Sequence, residues 1–141
     1  MTSLRFRPRR SLLMACVLSA VLGAAAVGGW LVLPANIQAL FTMPQLLTLA
    51  FFVLVMIALM MGVGLSYLRA DAEGLRFRNG LRTHQLEWSQ VRGLRFTEHD
   101  PWAYVECDND VQRPMLGIQR TDRELAEADF ASLVALWAKY R

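Results

Sequence analysis

The sequence lacks Asp, Glu, Lys, Arg and His over 58 consecutive residues, from Ser11 to Leu68. A soluble fold of this size needs charged groups at its surface, because charged side chains are almost never buried without a partner. The absence therefore excludes a soluble fold for this stretch and predicts that it lies in a membrane. The same absence argues against an ion or proton pathway, which requires polar groups at membrane depth.

Two apolar segments within this stretch have the length of membrane helices. Ser11–Leu33 and Gln45–Tyr67 each contain 23 residues. At about 1.5 Å per residue, each is long enough to cross a hydrocarbon core of about 30 Å. Pro34 and Pro44 suit the end of one helix and the start of the next. We predict transmembrane helices over residues 11–33 and 45–68, joined by an extracytoplasmic loop over 34–44.

Arginine flanks this hairpin on one side only. Four arginines lie in residues 1–10, three follow the second segment closely, and the loop has none: Arg5, Arg7, Arg9, Arg10, Arg69, Arg76 and Arg78. The positive-inside rule predicts a multi-pass protein of the inner (plasma) membrane, with residues 1–10 as a basic tail and both ends cytoplasmic. Arg9-Arg10 also resembles a twin-arginine signal with cleavage near Ala24–Ala26. Leu13–Cys16 resembles a lipobox only faintly, since too few residues precede it for an apolar segment.

Small residues recur every four positions in both apolar segments: Ala20, Ala24 and Gly28 in the first, and Ala58, Gly62 and Ser66 in the second. This spacing places each set on one helix face, where backbones can approach closely. In an antiparallel hairpin the two stripes overlap only in part. They are therefore predicted helix-packing residues, available in part to another membrane protein or to a second copy. Ordinary small-residue usage in membrane helices is the alternative interpretation.

Residues 69–141 hold 11 Lys/Arg and 12 Asp/Glu, so the formal net charge of +3 comes from the N-terminal tail. Such interleaved charge does not indicate nucleic-acid binding. Alternating apolar and polar residues predict strands, and Asn79-Gly80 predicts a tight hairpin turn. The five predicted strands cover 75–78, 81–88, 91–97, 102–107 and 111–118, with Pro114 favouring an edge position or a bulge.

The hydrophobic period then changes from two to that of a helix. Thr121 and Glu124 have the spacing of a capping box. Five apolar or aromatic residues follow at helical spacing: Ala126, Phe130, Leu133, Trp137 and Tyr140. The pattern predicts an α+β protein, in which the membrane hairpin precedes a curled antiparallel sheet plugged by an amphipathic C-terminal helix.

Three runs in this part, Gly74–His84, Trp88–Phe96 and Pro101–Tyr104, resemble bacterial pleckstrin-homology-like (PH-like) domains. They are most similar to the actinobacterial low molecular weight protein antigen PH domain family. The resemblance implies a small antiparallel β-barrel of about seven strands over residues 69–141, capped by the C-terminal helix. The further strands would come from Ser66–Ala72 and from a division of 111–120. It also implies a binding or scaffolding role and no catalytic residues.

Four arginines are candidates for contact with anionic lipid: Arg69, Arg76, Arg78 and Arg82. The last three are expected to share one exposed face of the first hairpin, where basic groups near a membrane attract anionic headgroups. A solvated strand face is the alternative. The two Cys and two His residues lack the short-spaced pairs of a zinc site, and Glu106, Asp108 and Asp110 lack a calcium loop's spacing. No metal, cofactor or catalytic residue is therefore expected.

These observations predict a membrane-tethered, cytoplasmic PH-like module that binds or scaffolds rather than an enzyme. The lipid bilayer is one partner, and another membrane protein is the expected second one. The alternative is a sensor of anionic lipid surface that acts through the arginine-bearing hairpin.

Overall fold

A computed structural model describes residues 3–141, which form four α-helices and seven strands. The helices are α1 (Arg9–Val32), α2 (Ala35–Gln38), α3 (Met43–Gly64) and α4 (Glu124–Tyr140). The strands are β1 (Leu4–Phe6), β2 (Tyr67–Ala70), β3 (Gly74–Asn79), β4 (Arg82–Glu87), β5 (Val91–Arg95), β6 (Trp102–Cys107) and β7 (Gln112–Gln119). The α+β architecture expected from the sequence is confirmed.

Helices α1 and α3 pack against each other and are called the helix pair below. They contain 24 and 22 residues, and both are long and apolar enough to cross a membrane. Large apolar side chains point outward from them; Leu31 is 71% and Val32 84% exposed. In the connection, the Gln38 side-chain amide donates to the carbonyls of Trp30 (2.9 Å) and Leu33 (3.2 Å), which satisfies acceptors left free at the end of α1.

The second helix ends earlier than the predicted boundary at residue 68. It stops at Gly64, and Tyr67 begins strand β2. Ser66 and Leu68 are 1% and 0% exposed because they belong to the interior of the domain. Uncharged residues suit a protein core as well as they suit lipid. The absence of charge therefore overestimates the length of the second helix. The strand expected within Ser66–Ala72 is confirmed.

Part of the predicted basic tail belongs to the domain. Strand β1 pairs antiparallel with β2, with Leu4 opposite Ala70, Arg5 opposite Arg69 and Phe6 opposite Leu68. Phe6 is 6% exposed and joins the core. The sequence contains the signal for this strand, because Leu4-Arg5-Phe6-Arg7 repeats the tetrapeptide at residues 75–78 in β3. The helix pair is thus inserted between two neighbouring strands of one sheet.

The strands form two antiparallel sheets, of order β1-β2-β3-β4 and β5-β6-β7, rather than one closed barrel. The Asn79 side chain joins the two sheets. Its Nδ2 donates to the Pro114 carbonyl (2.6 Å), and its Oδ1 accepts from the Leu116 backbone amide (3.1 Å). Gly117 lies so close to the Leu68 backbone that any side chain there would collide with it. Pro114 lies on an edge strand, as predicted. The expected division of 111–120 is wrong, since β7 is continuous and β1 supplies the seventh strand.

Helix α4 packs its apolar face onto the sheets, as its periodicity predicts. Ala126 and Leu133 are buried, while Phe130, Trp137 and Tyr140 pack half-buried against the core. The predicted capping box is wrong. The residue before α4 is Arg123, at φ +50°, and a 3₁₀ turn (Arg120–Asp122) precedes it.

The residues of the predicted cap instead contact the start of α1. Asp122 accepts a hydrogen bond from the Arg10 amide (3.0 Å), and the Thr121 hydroxyl lies 3.0 Å from that of Ser11. The Ser11 hydroxyl also donates to the Gln119 side chain. A local spacing rule cannot anticipate these contacts, because their partners lie more than a hundred positions away in the chain.

Phe6→Ala tests whether β1 is an integral strand. We expect the variant to lose about 3 kcal/mol of unfolding free energy, because it leaves a cavity beneath β2. Thermal unfolding of the full chain in detergent measures the loss, with Leu81→Ala as control because Leu81 is 91% exposed. Equal melting temperatures for the two variants would contradict the assignment of β1 to the core.

Candidate binding surfaces

Three arginines form a row across the four-stranded sheet. The register places Arg5 opposite Arg69 and Arg69 opposite Arg76, so their side chains leave the same outer face. Like charges directly opposite one another destabilise a sheet. Only Arg69 is paired within the described chain, through Asp71 at 3.7 Å. Predicted residues Arg69 and Arg76 therefore lie together, and Arg5 joins a set from which sequence analysis omitted it.

The other two predicted lipid-surface residues are separated by the strand register. Arg78 is on the outer face and lies opposite Tyr67 and Thr83. Arg82 lies opposite Asn79, whose side chain reaches inward to the second sheet, so Arg82 leaves the opposite face. The expectation that Arg76, Arg78 and Arg82 share a face is wrong. The two-residue turn at Gly80-Leu81 places even-numbered residues opposite odd-numbered ones. Arg82 therefore shares a face with Asn79 and not with Arg76 or Arg78.

The β3–β4 hairpin tip touches the last turns of α3. The turn residues are Gly80 and Leu81 rather than Asn79 and Gly80, and Gly80 has φ +62°. Its amide donates to the Ser66 hydroxyl (3.2 Å), which donates to the Gly62 carbonyl (3.2 Å). A Cβ on Gly62 would lie 3.6 Å from the Gly80 Cα. The hairpin tip, defined as residues 78–82, is thereby held beside α3 with Leu81 fully outward.

The predicted helix-packing residues are divided among different surroundings. Ala20, Ala24 and Ala58 are exposed on the helix pair, whereas Gly62 and Ser66 hold the hairpin tip. Gly28 has open space around it, since a Cβ there would meet nothing within 4 Å.

A close approach between α1 and α3 involves residues outside the predicted stripes. A Cβ on Gly64 would lie 3.0 Å from both the Ala15 Cβ and the Leu12 Cα. Three of the predicted small residues therefore remain available on the outside of the helix pair.

An open groove of about 670 Å³ lies beside the β2–β3 turn and the end of β4. Both signs of charge line it, through Arg69, Arg76, Asp71, Glu73 and Glu87, and Tyr140 from the end of α4 closes one side. The Trp88 indole donates to the Asp71 carbonyl at 2.8 Å and fixes the β2–β3 turn at its margin. Mixed charge of this kind suits a polar protein surface better than a uniformly anionic ligand.

The remaining chemically reactive side chains have structural surroundings. The His84 Nδ1 lies 2.7 Å from a guanidinium nitrogen of Arg113, and a guanidinium can only donate, so this nitrogen accepts. Burial, with the charges of Arg113 and Arg82, lowers the pKa of His84 and favours the neutral ring.

Hydrogen bonds from the Thr97 amide and hydroxyl lower the pKa of Asp100. Cys16 is exposed on α1 and Cys107 is buried. Within residues 3–141, no group of three metal-ligating side chains occurs.

Two antiparallel sheets with a C-terminal helix packed onto them define the class of a small α+β domain. Residues 66–133 match the sequence profile of the bacterial PH domain family. This match confirms the resemblance to bacterial PH-like domains noted in the sequence. The match starts at Ser66 and so leaves out β1. Domains of this family are typically non-catalytic.

Uncharacterized proteins of Mycobacterium bovis and Mycobacterium tuberculosis are similar to this chain. Each is 34% identical over 74 residues, which cover 52% of this chain and 48% of the relative. The match thus spans about half the length of these curated relatives. No solved structure matches the chain.

Proposed function

We propose that this protein is a membrane-anchored binding or scaffolding module that presents its PH domain on the cytoplasmic face and engages another membrane protein or a second copy. The observation that carries this proposal is the insertion of the helix pair between β1 and β2. A chain that leaves a sheet, crosses a membrane twice and returns to the neighbouring strand has no flexible tether. The domain would then keep one orientation to the bilayer, as a scaffold requires.

Hydrogen bonds support this rigid connection on both sides of the helix pair. At the start of α1, the Arg10 amide bonds to Asp122 and Ser11 to Gln119. At the end of α3, Ser66 links the helix to the Gly80 amide of the hairpin tip. Both helix ends are therefore attached to different parts of the domain, which restricts rotation as well as separation.

The arginine distribution supports the cytoplasmic orientation. Arg5, Arg7, Arg9 and Arg10 precede the exposed part of α1, and the connection between α1 and α3 contains no charged residue. Short segments rich in arginine remain on the cytoplasmic side during insertion. Ala20, Ala24 and Ala58, exposed on the outside of the helix pair, offer small-residue faces against which a further helix can pack closely.

Cysteine labelling tests the orientation. In a Cys16→Ala, Cys107→Ala background, we expect a membrane-impermeant maleimide to label Asn36→Cys in intact cells and Glu98→Cys only after lysis. Both positions are exposed, so accessibility in the protein is matched. Labelling of both before lysis, or the reverse pattern, would contradict the proposed topology.

Photo-crosslinking tests the partner. With a photoreactive residue at Ala24, we expect a discrete protein adduct in native membranes, because a partner helix would pack on the small-residue face. Leu18 is the control, since it is 51% exposed on the same helix, but its side chain leaves the axis about 120° away from that of Ala24. A dimer-sized adduct would identify a second copy, and a different discrete mass another membrane protein. Identical patterns from the two positions would refute docking through this face.

A second candidate function, sensing of anionic lipid, is favoured by the hairpin tip. Leu81 is 91% exposed, the Gly80 backbone lies against α3, and the Arg78 Nε donates to the Gly80 carbonyl (2.7 Å). An exposed leucine between two arginines, held beside the end of a candidate membrane helix, suits insertion into the interfacial region. Arg69 and Arg76 lie about 7 Å or more along the strands from the hairpin tip, so they attract anionic lipid from a longer distance.

Depth measurement tests the hairpin tip. In the cysteine-free background, a fluorophore at Leu81→Cys should be quenched by brominated lipids in nanodiscs that contain phosphatidylglycerol. Quenching should weaken when salt is raised or phosphatidylcholine replaces the anionic lipid. Val111→Cys, an exposed position on another strand connection, is the control. Equal quenching at the two positions, or no response to lipid charge, would rule out this sensing role.

A further inference from the structure

A second concavity, of about 340 Å³, lies where β1, the start of α1 and the start of α4 meet. Three arginines line it: Arg5, Arg7 and Arg9. Its apolar walls come from Phe6, Leu12 and Leu125, and its carboxylate is Asp129. We call this concavity the junction pocket. It is built by elements from both ends of the chain, so it exists only in the folded protein.

The junction pocket carries an excess of positive charge. Within residues 3–141, none of its three arginines has a carboxylate oxygen within 4 Å. The Arg5 guanidinium lies 5.8 Å from the Tyr67 ring centroid, a weak cation–π contact that does not neutralise its charge. Burial and the neighbouring Asp122 raise the pKa of Asp129, and Arg9 opposes that change. The lining of the junction pocket therefore contains three arginines and one carboxylate, and a bound anion would offset the excess of positive charge.

The position of the junction pocket specifies what kind of anion fits. Arg9 is the first residue of α1, and the outward apolar surface of that helix begins at Leu13 and Met14, which are 64% and 56% exposed. Leu12 is on the first turn of α1, and Leu125, 43% exposed, faces the same pocket from α4. Charge thus lies toward the domain, and apolar surface lies toward the candidate membrane span.

We propose that the junction pocket binds the phosphate group of an anionic phospholipid, with the arginines on the phosphate and Leu12 and Leu125 against the glycerol and upper acyl chains. Guanidinium groups suit this role because their paired N–H donors match phosphate oxygens. This proposal rests on the membrane insertion proposed above. It differs from lipid sensing by the hairpin tip, since none of its residues belongs to 78–82.

Binding of phosphatidylglycerol to the full chain in neutral detergent tests the junction pocket. Native mass spectrometry and thermal shift measure retained lipid and stabilisation, with phosphatidylcholine as the uncharged comparison and glycerol phosphate as the soluble phosphate. We expect phosphatidylglycerol to bind at least about tenfold tighter than either comparison, because both charge and chains contribute.

Two variant pairs locate the binding site. Replacement of Arg5, Arg7 and Arg9 by Gln should weaken phosphatidylglycerol binding by about tenfold or more. Replacement of Arg92, Lys139 and Arg141 by Gln removes the same charge from other exposed positions and should have little effect. Leu125→Glu places a carboxylate at the junction pocket without changing β1, and Ala131→Glu places one elsewhere on the exposed side of α4. Only the former should weaken binding.

Several outcomes would overturn the proposal. Equal losses for the two triple variants, or for the two Glu variants, would indicate diffuse attraction and no pocket. Glycerol phosphate binding as tight as lipid would indicate a soluble ligand. If cysteine labelling confirms the topology while lipid charge has no effect, the junction pocket fails and the membrane anchor stands. If labelling contradicts the topology, the anchor itself fails.

Discussion

The backbone pairing of β1 with β2 is the constraint on which the rest of this structure depends. It joins residues separated by about sixty positions, and the helix pair occupies the whole interval. Because Leu4, Arg5 and Phe6 are opposite Ala70, Arg69 and Leu68, the two helices must leave and re-enter the domain at neighbouring strands. The sheet thereby holds their ends close together. The close approach at Gly64 and the contacts of Arg10 and Ser11 with the 119–122 segment reinforce the same geometry.

The same constraint organises the positive charge. Arg5 enters the row with Arg69 and Arg76 only because β1 is in register with β2, and Arg7 and Arg9 reach the junction pocket because α1 starts immediately after β1. Arginines that are distant in the sequence thus form two positively charged surfaces, the row across the first sheet and the junction pocket. Uncompensated like charges cost stability, and here they lie next to a long apolar helix pair. An anionic phospholipid surface is a physically consistent counterpart for such an arrangement.

Spacing rules succeeded for the buried faces of single elements, and several of their failures involve contacts with distant parts of the chain. The alternation in β3 and the helical spacing of Ala126, Phe130 and Leu133 predicted buried faces that the fold contains. The capping box failed because Arg123 at φ +50° precedes α4 and the Thr121 hydroxyl lies beside Ser11 of α1. The predicted end of the second helix failed because Leu68 is buried in the core of the domain. The shared arginine face failed at Arg82 through strand parity. Strand β1 was missed although its tetrapeptide repeats that of β3.

The sequence by itself determined the two long apolar helices, the run of strands before a C-terminal helix and the resemblance to PH domains, because charge and hydrophobic period are properties of neighbouring residues. Only the tertiary structure decided that the first strand lies before the helices, that the hairpin tip rests against α3, and that Arg5, Arg7 and Arg9 share a pocket with Leu125. These features depend on contacts between opposite ends of the chain, and no local pattern encodes which distant segments will pair.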